Sequence, residues 1–172
     1  MTIAIKPTAS GSTIEQDGST ILTVDGSGNI TPSNQMYPKV PAFSAYQSSA
    51  QTLSSSTNTK IQYQTERFDT NSNYDNTTNY RFTPTVAGYY QVNASLGVGA
   101  SPASVYTQIY KNGSLYEGSY DGGHTTLTST VSSLVYLNGS TDYIEIYGVF
   151  GTGQVTAALS SQTWFNAVLV SV

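Results

Sequence analysis

The chain has 172 residues, no cysteine, a formal net charge of −4 and only 9% charged residues, against about 25% in an average domain. Its length fits one compact domain with an appendage, and the lack of thiols excludes disulfide frameworks, thiolate metal sites and cysteine nucleophiles while leaving the redox compartment open. Six scattered Lys and Arg residues argue against a nucleic-acid partner, which calls for a clustered basic face, and the wealth of Tyr, Thr, Val and Ile argues against disorder and for strands.

No apolar run approaches the ~20 residues that cross a bilayer, so membrane insertion is not expected. The opening MTIAIKPTAS shows no charged-then-apolar leader. A role outside a cell would then be reached by another route, such as assembly into a particle released by lysis.

Taken in chain order, residues 1–38 stand apart as a stem or attachment segment. GSTIEQDGSTILTVDGSGNITPSNQ (11–35) sets short apolar pieces (Ile14, Ile21, Leu22, Val24, Ile30) between Gly, Asp and Asn turns. It holds too few apolar residues for a core of its own. Two readings stay open: a flexible leader, or a β-rich stem that buries Ile and Leu against copies in other subunits. The motif GSTI occurs twice, but two copies seven residues apart do not make a solenoid.

Residues 39–172 read as a β domain. Strands are expected at 42–47, 60–68, 79–83, 88–96, 104–110, 127–137, 142–149 and 163–171. Alternation sorts faces: Tyr106, Gln108 and Tyr110 lie opposite Val105, Thr107 and Ile109, while Ile144 and Ile146 lie opposite Tyr143, Glu145 and Tyr147. Asn-Gly at 112–113 and 138–139 and Asp-Gly-Gly at 121–123 supply tight turns. In RFTPTVAGYYQV (81–92), Pro and Gly mark a corner between two strands. No helical periodicity of useful length occurs. The fold class is all-β: a sandwich or jelly roll of about eight to ten antiparallel strands with an extended or β-rich stem.

An ordered set of short motifs extends this reading: AFSAY (42–46), ERFDTNSNY (66–74), RFTPTVAGYY (81–90), YKNG (110–113), YLNGSTDYIEI (136–146) and WFNAVLV (164–170). In this order they resemble the globular head of the complement 1q and tumour-necrosis-factor-like jelly-roll superfamily, over roughly residues 41–172. Three departures stand out: the longer loop TNSNYDNTTN (70–79), Ser-Thr before Asp142, and Phe165-Asn166-Ala167 near the end. The resemblance implies a homotrimer with aromatic side chains near a three-fold axis. The Tyr-rich second faces suit that role, because a tyrosine body buries well while its hydroxyl stays bonded. Tyr89, Tyr106, Tyr110, Tyr143 and Tyr147 are the candidate interface residues. LTVDGSGNITPS (22–33) resembles segments that precede distal domains in phage tail and fibre proteins.

Catalytic chemistry finds little support. A Ser-His-Asp site needs a histidine base, and His124, the one histidine, reads as a solvated loop residue. Glu66 with Asp69, or Asp142 with Glu145, could be named as a glycosidase pair, but neither has a recognisable setting. Asp69, Asn71, Asn73 and Asp75 alternate oxygen ligands, yet lack the Gly and Glu of a hand-type calcium loop. The sequons at Asn93 and Asn112 are expected by chance in a chain this rich in Ser and Thr. No cofactor and no metal is expected.

The sequence therefore points to a phage virion protein, a trimeric fibre, knob or spike head that attaches to a host-surface receptor or glycan. Residues 1–38 would join it to other virion proteins. Loops 70–79 and 117–126 are the candidate receptor loops, with Tyr74, Asp75, Asn76, Tyr120, Asp121 and His124 as contact residues. The alternatives are a capsid decoration or tail-needle knob with a purely structural role, and a secreted trimeric ligand or adhesin of the same superfamily. A polysaccharide-degrading spike is disfavoured.

Overall fold

The computed structural model describes residues 2–32, 40–100, 104–122 and 128–172. The chain divides into two compact units, Met1–Lys39 and Val40–Val172. All described strand pairs are antiparallel, and no helix occurs among the described residues. The expected all-β class is the observed one.

The first unit is a four-stranded meander: β1 (Ile3–Thr8), β2 (Gly11–Gln16), β3 (Ser19–Asp25) and β4 (Ile30–Pro32), each paired with the next. Register makes this sheet two-faced. Ile5 lies opposite Ile14, Ile14 opposite Leu22, and Val24 opposite Ile30, so apolar side chains share one side. Lys6, Thr13, Thr23 and Thr31 lie in the alternate row, where Lys6 pairs with Glu15. No described residue of this unit is buried, and Ile5 is 71% exposed.

The second unit has thirteen strands: β5 (Ala42–Tyr46), β6 (Thr52–Leu53), β7 (Thr59–Lys60), β8 (Thr65–Asp69), β9 (Tyr74–Asp75), β10 (Arg81–Phe82), β11 (Ala87–Gly97), β12 (Ser104–Lys111), β13 (Ser114–Gly122), β14 (Thr128–Asn138), β15 (Ile144–Phe150), β16 (Gln154–Val155) and β17 (Trp164–Ser171). One sheet runs β14-β11-β17-β5-β8. The other runs β13-β12-β15-β10-β9, with β7 also on β15, and β16 pairs with β6. The strands that open and close this unit are neighbours: Val168 lies opposite Ala42, and the Leu169 amide donates to the Pro41 carbonyl at 3.0 Å.

Inward-facing side chains of the two sheets make one core. Phe43 is its aromatic centre, stacked on Tyr74 and Phe82 at 4.7 and 4.6 Å and edge-on to Phe165 at 4.7 Å. Val92, Leu96, Ile109, Val135, Ile144 and Ile146 fill in around it, all fully buried. The hairpin β12–β13 turns on Asn112 and Gly113, with φ of 52° and 77°, the pair of positive angles that a two-residue turn needs. Gly88 answers a different need: a Cβ there would lie 2.3 Å from the Ser171 carbonyl oxygen, where β17 closes on β11 beside a bulge.

Three expectations are corrected. The single strand expected at 60–68 is two strands on different sheets. Residues 61–64 carry the chain across, with Ile61 and Tyr63 completely buried at the corner. The strand expected at 79–83 shrinks to Arg81–Phe82. Residues 117–122, expected as part of a loop, belong to edge strand β13.

Candidate functional site

With the core closed, each sheet of the head presents an outward face. On the five-stranded sheet, register sets Tyr136 beside Tyr89, Gln91 between Leu134 and Val168, and Ser132, Asn93, Asn166 and Ser44 in one row ending at Phe68. The polar row is bonded within itself. Ser132 Oγ donates to Asn93 Oδ1 at 2.8 Å, Asn93 Nδ2 to Asn166 Oδ1 at 3.0 Å, and Gln91 Nε2 to Ser132 Oγ at 2.9 Å. Arg67 continues it, donating to Ser44 Oγ at 3.1 Å and lying over the Tyr46 ring. Around this ladder stand exposed apolar side chains: Leu134 at 53%, Val170 at 54%, Phe68, Val168, Tyr89 and Tyr136. An open depression of about 300 Å³ lies between Phe68, Ser44, Asn166 and Val168. The Tyr89 and Tyr136 rings meet at 5.4 Å.

The outward face of the other sheet is built from tyrosines. Tyr106 pairs across the hairpin with Tyr120, their rings 4.4 Å apart, and Tyr110 meets Tyr147 at 4.2 Å. The Arg81 guanidinium lies 4.5 Å above the Tyr143 ring. Two ion pairs lie on this side: Lys60 pairs with the buried Glu145, and Lys111 with Asp142. Burial, with the nearby Glu145 carboxylate, pushes the Tyr147 hydroxyl up. Asn58 Nδ2 donates to the Tyr110 hydroxyl at 3.0 Å.

The five tyrosines expected at an interface therefore divide between the sheets. Tyr89 belongs to the five-stranded sheet, while Tyr106, Tyr110 and Tyr147 lie on the other, with Tyr143 at its edge. Sequence reasoning missed Tyr136, Leu134, Val168 and Phe68. Cross-strand partnership with Tyr89 and Gln91 would have flagged the first three, once strand pairing was known.

The expected receptor loop 70–79 is corrected in part. Tyr74 is a core residue, not a surface contact: its ring stacks on Phe43, its hydroxyl donates to the Tyr63 carbonyl at 3.1 Å, and burial pushes that hydroxyl far up. Asp75 is engaged in its own turn. Its carboxylate accepts the amides of Thr77, Thr78 and Asn79 at 2.9–3.0 Å, and these bonds hold its pKa well below the usual carboxylate range. Asn76 remains partly exposed on the loop. Tyr120 is an exposed strand residue and Asp121 lies at the end of β13. His124 lies outside the described residues.

The carboxylates considered for calcium or acid–base chemistry are similarly committed. Asp69 accepts the Asn71 and Tyr74 amides at 3.1 and 2.7 Å. Burial, aided by the Asp69 charge, raises the pKa of Glu66. Asp142 accepts from Asn112 and Lys111, which lowers its pKa, while Glu145 faces Lys60. No group of three metal-ligating acids, histidines or cysteines occurs among the described residues.

No family model and no curated protein matches the sequence. Solved structures do match. The globular domain of zebrafish complement 1qA is 15% identical, covering 76% of this chain and 97% of its own with a TM-score of 0.58. The PRD1 vertex protein P5 is 11% identical with the same coverages and a TM-score of 0.60. Murine APRIL is 9% identical, covering 76% and 99% with a TM-score of 0.60. The head has the complement 1q and tumour-necrosis-factor jelly-roll fold. At these identities the likeness concerns fold alone, and the site must be argued from the residues.

Proposed function

We propose that this chain is a phage virion structural protein, a homotrimeric fibre, knob or spike head that attaches the particle to a host surface without enzymatic action. Residues 1–38 join it to other virion proteins. The observation that carries this reading is the outward face of β14-β11-β17-β5-β8. Leu134, Val168, Val170, Phe68 and the Tyr89–Tyr136 pair surround a polar ladder whose hydrogen bonds are already made. Such a face loses little on drying and gains from covering its apolar rim, which is what a copy of the same chain supplies. Likeness in fold to a virion vertex protein supports the particle setting.

A purely structural decoration is the second reading. It is favoured by the commitment of Tyr74 to the core and of Asp75 to its own turn, which removes two expected receptor contacts.

Light scattering on the full chain tests the assembly. A mass near three times 18.3 kDa is expected, and Leu134→Asp with Val168→Asp should lower it to one chain. A monomeric wild type sinks the reading. Binding of the labelled trimer to host cells then separates attachment from decoration.

A further inference from the structure

The N-terminal sheet keeps every charge of its strands on one side. Lys6, Glu15 and Asp25 share the side of the threonine row, and Asp17 sits in the turn between β2 and β3. On the other side the row Ile5-Ile14-Leu22-Pro32 crosses all four strands, and Val24 with Ile30 lies in the next row. Among the described residues this side has no charged side chain, and Ile3, Ile5 and Ile30 are 59%, 71% and 65% exposed. Four strands about 4.8 Å apart and five residues rising about 3.4 Å each give this face roughly 300 Å². An interface between free proteins buries about 800 Å² on each partner. The face is therefore too small to hold a free partner and suits one that is delivered to it.

Resting on the homotrimer reading above, we propose that this face packs against the same face of the other two chains, closing a three-sided apolar core around the symmetry axis. Two observations single out a copy of the chain as the occupant. In a three-fold assembly any charge on an axial face meets its own copies, and this face carries none. The sheet is also tied to the head by only seven residues, 33–39. Three heads held together would bring the three sheets to about millimolar effective concentration, which makes up for the small area. A different virion protein would have to hold the same roughly 300 Å² without a tether. The threonine side, with the Lys6–Glu15 pair, stays outward for such a protein.

The chain has no cysteine, so one introduced thiol reports which side meets a copy. Under mild oxidation of the full chain, Ile14→Cys should form interchain disulfides at least tenfold faster than Thr13→Cys, whose side chain lies on the opposite side. Equal rates, or faster cross-linking of Thr13→Cys, overturn the proposal. Amide hydrogen exchange gives a second readout. In the trimer, β1–β3 should exchange at least tenfold more slowly than in the chain made monomeric by Leu134→Asp with Val168→Asp, whose N-terminal residues are unchanged. Equal exchange overturns the proposal, because an uncovered sheet gains nothing from assembly. The two readings fail separately. A trimer in which Ile14→Cys does not cross-link keeps the head interface and gives this face to another virion protein. Cross-linking of Ile14→Cys in a trimer that survives Leu134→Asp with Val168→Asp keeps the axial core and removes that head interface.

Discussion

In the head, each long strand gives one side to a core shared by two sheets, so that Phe43, Phe165 and Ile146 have no contact with water. In residues 2–32, strands of similar length alternate just as clearly, yet Ile3, Ile5 and Ile30 stay exposed because that unit has one layer. The contrast separates two things that a strand pattern is often taken to imply together. Alternation and turn residues suffice to pair strands, but burial needs a second layer. The head carries its own second layer, and the N-terminal sheet does not.

That contrast can be broken by substitution. The largest effect is expected for Phe43→Ala, which empties the aromatic centre and should cost about 3–5 kcal/mol. Ile5→Ala, in the N-terminal sheet, should leave the head's unfolding free energy in urea within ~0.5 kcal/mol of wild type. Equal shifts would mean that the two units unfold together. A smaller contrast concerns two ion pairs. Lys60→Met strands Glu145, whose side chain is 5% exposed, and should cost about 1–3 kcal/mol. Lys6→Met removes the partner of Glu15 from a lysine that is 60% exposed, and should cost about 0–1 kcal/mol. Thermal unfolding of the two variants side by side would show whether the stem pair is as exposed as its geometry.

The smallest effect is one of pH. Asp75 in the head and Asp25 in the N-terminal sheet both accept turn amides, and both have depressed pKa values. A carboxylate depressed in the folded state contributes stability above its unfolded pKa. That contribution is lost as pH falls from about 4 through the lower folded value. The head should therefore lose stability on that acid limb, less steeply in Asp75→Asn and unchanged in Asp25→Asn. A limb insensitive to Asp75→Asn would show that its turn bonds survive protonation.

The sequence revealed the head where residues met two demands at once. AFSAY, TDYIEIYGV and WFNAVLV alternate because one side of each is buried, and they lie at or near their expected positions. Edge strand β13 escaped because none of its side chains is buried, so no hydrophobic period marks it; Asn112-Gly113 and pairing with β12 hold it in place. The run 60–68 misled because Ile61 and Tyr63 are apolar for a different reason, as the plug of a corner between sheets. The Tyr-rich faces were legible as faces. Their division between two sheets was not, since nothing local says which sheet a strand joins.

The pairing of β5 with β17 also gives the head a polarity. Because Leu169 bonds Pro41, the chain comes in and goes out at the same pole. The opposite pole is framed by the segments 47–51 and 157–163, tied by the Gln47 amide to the Thr163 carbonyl at 3.0 Å. An affinity handle or fluorophore at Val172 would therefore anchor or report on the pole where residue 40 arrives, leaving the far pole free. The two ends are also close enough to be spliced by a short linker. A head reopened at the exposed residues 152–153 would keep both sheets intact while handing its termini to a different part of the surface.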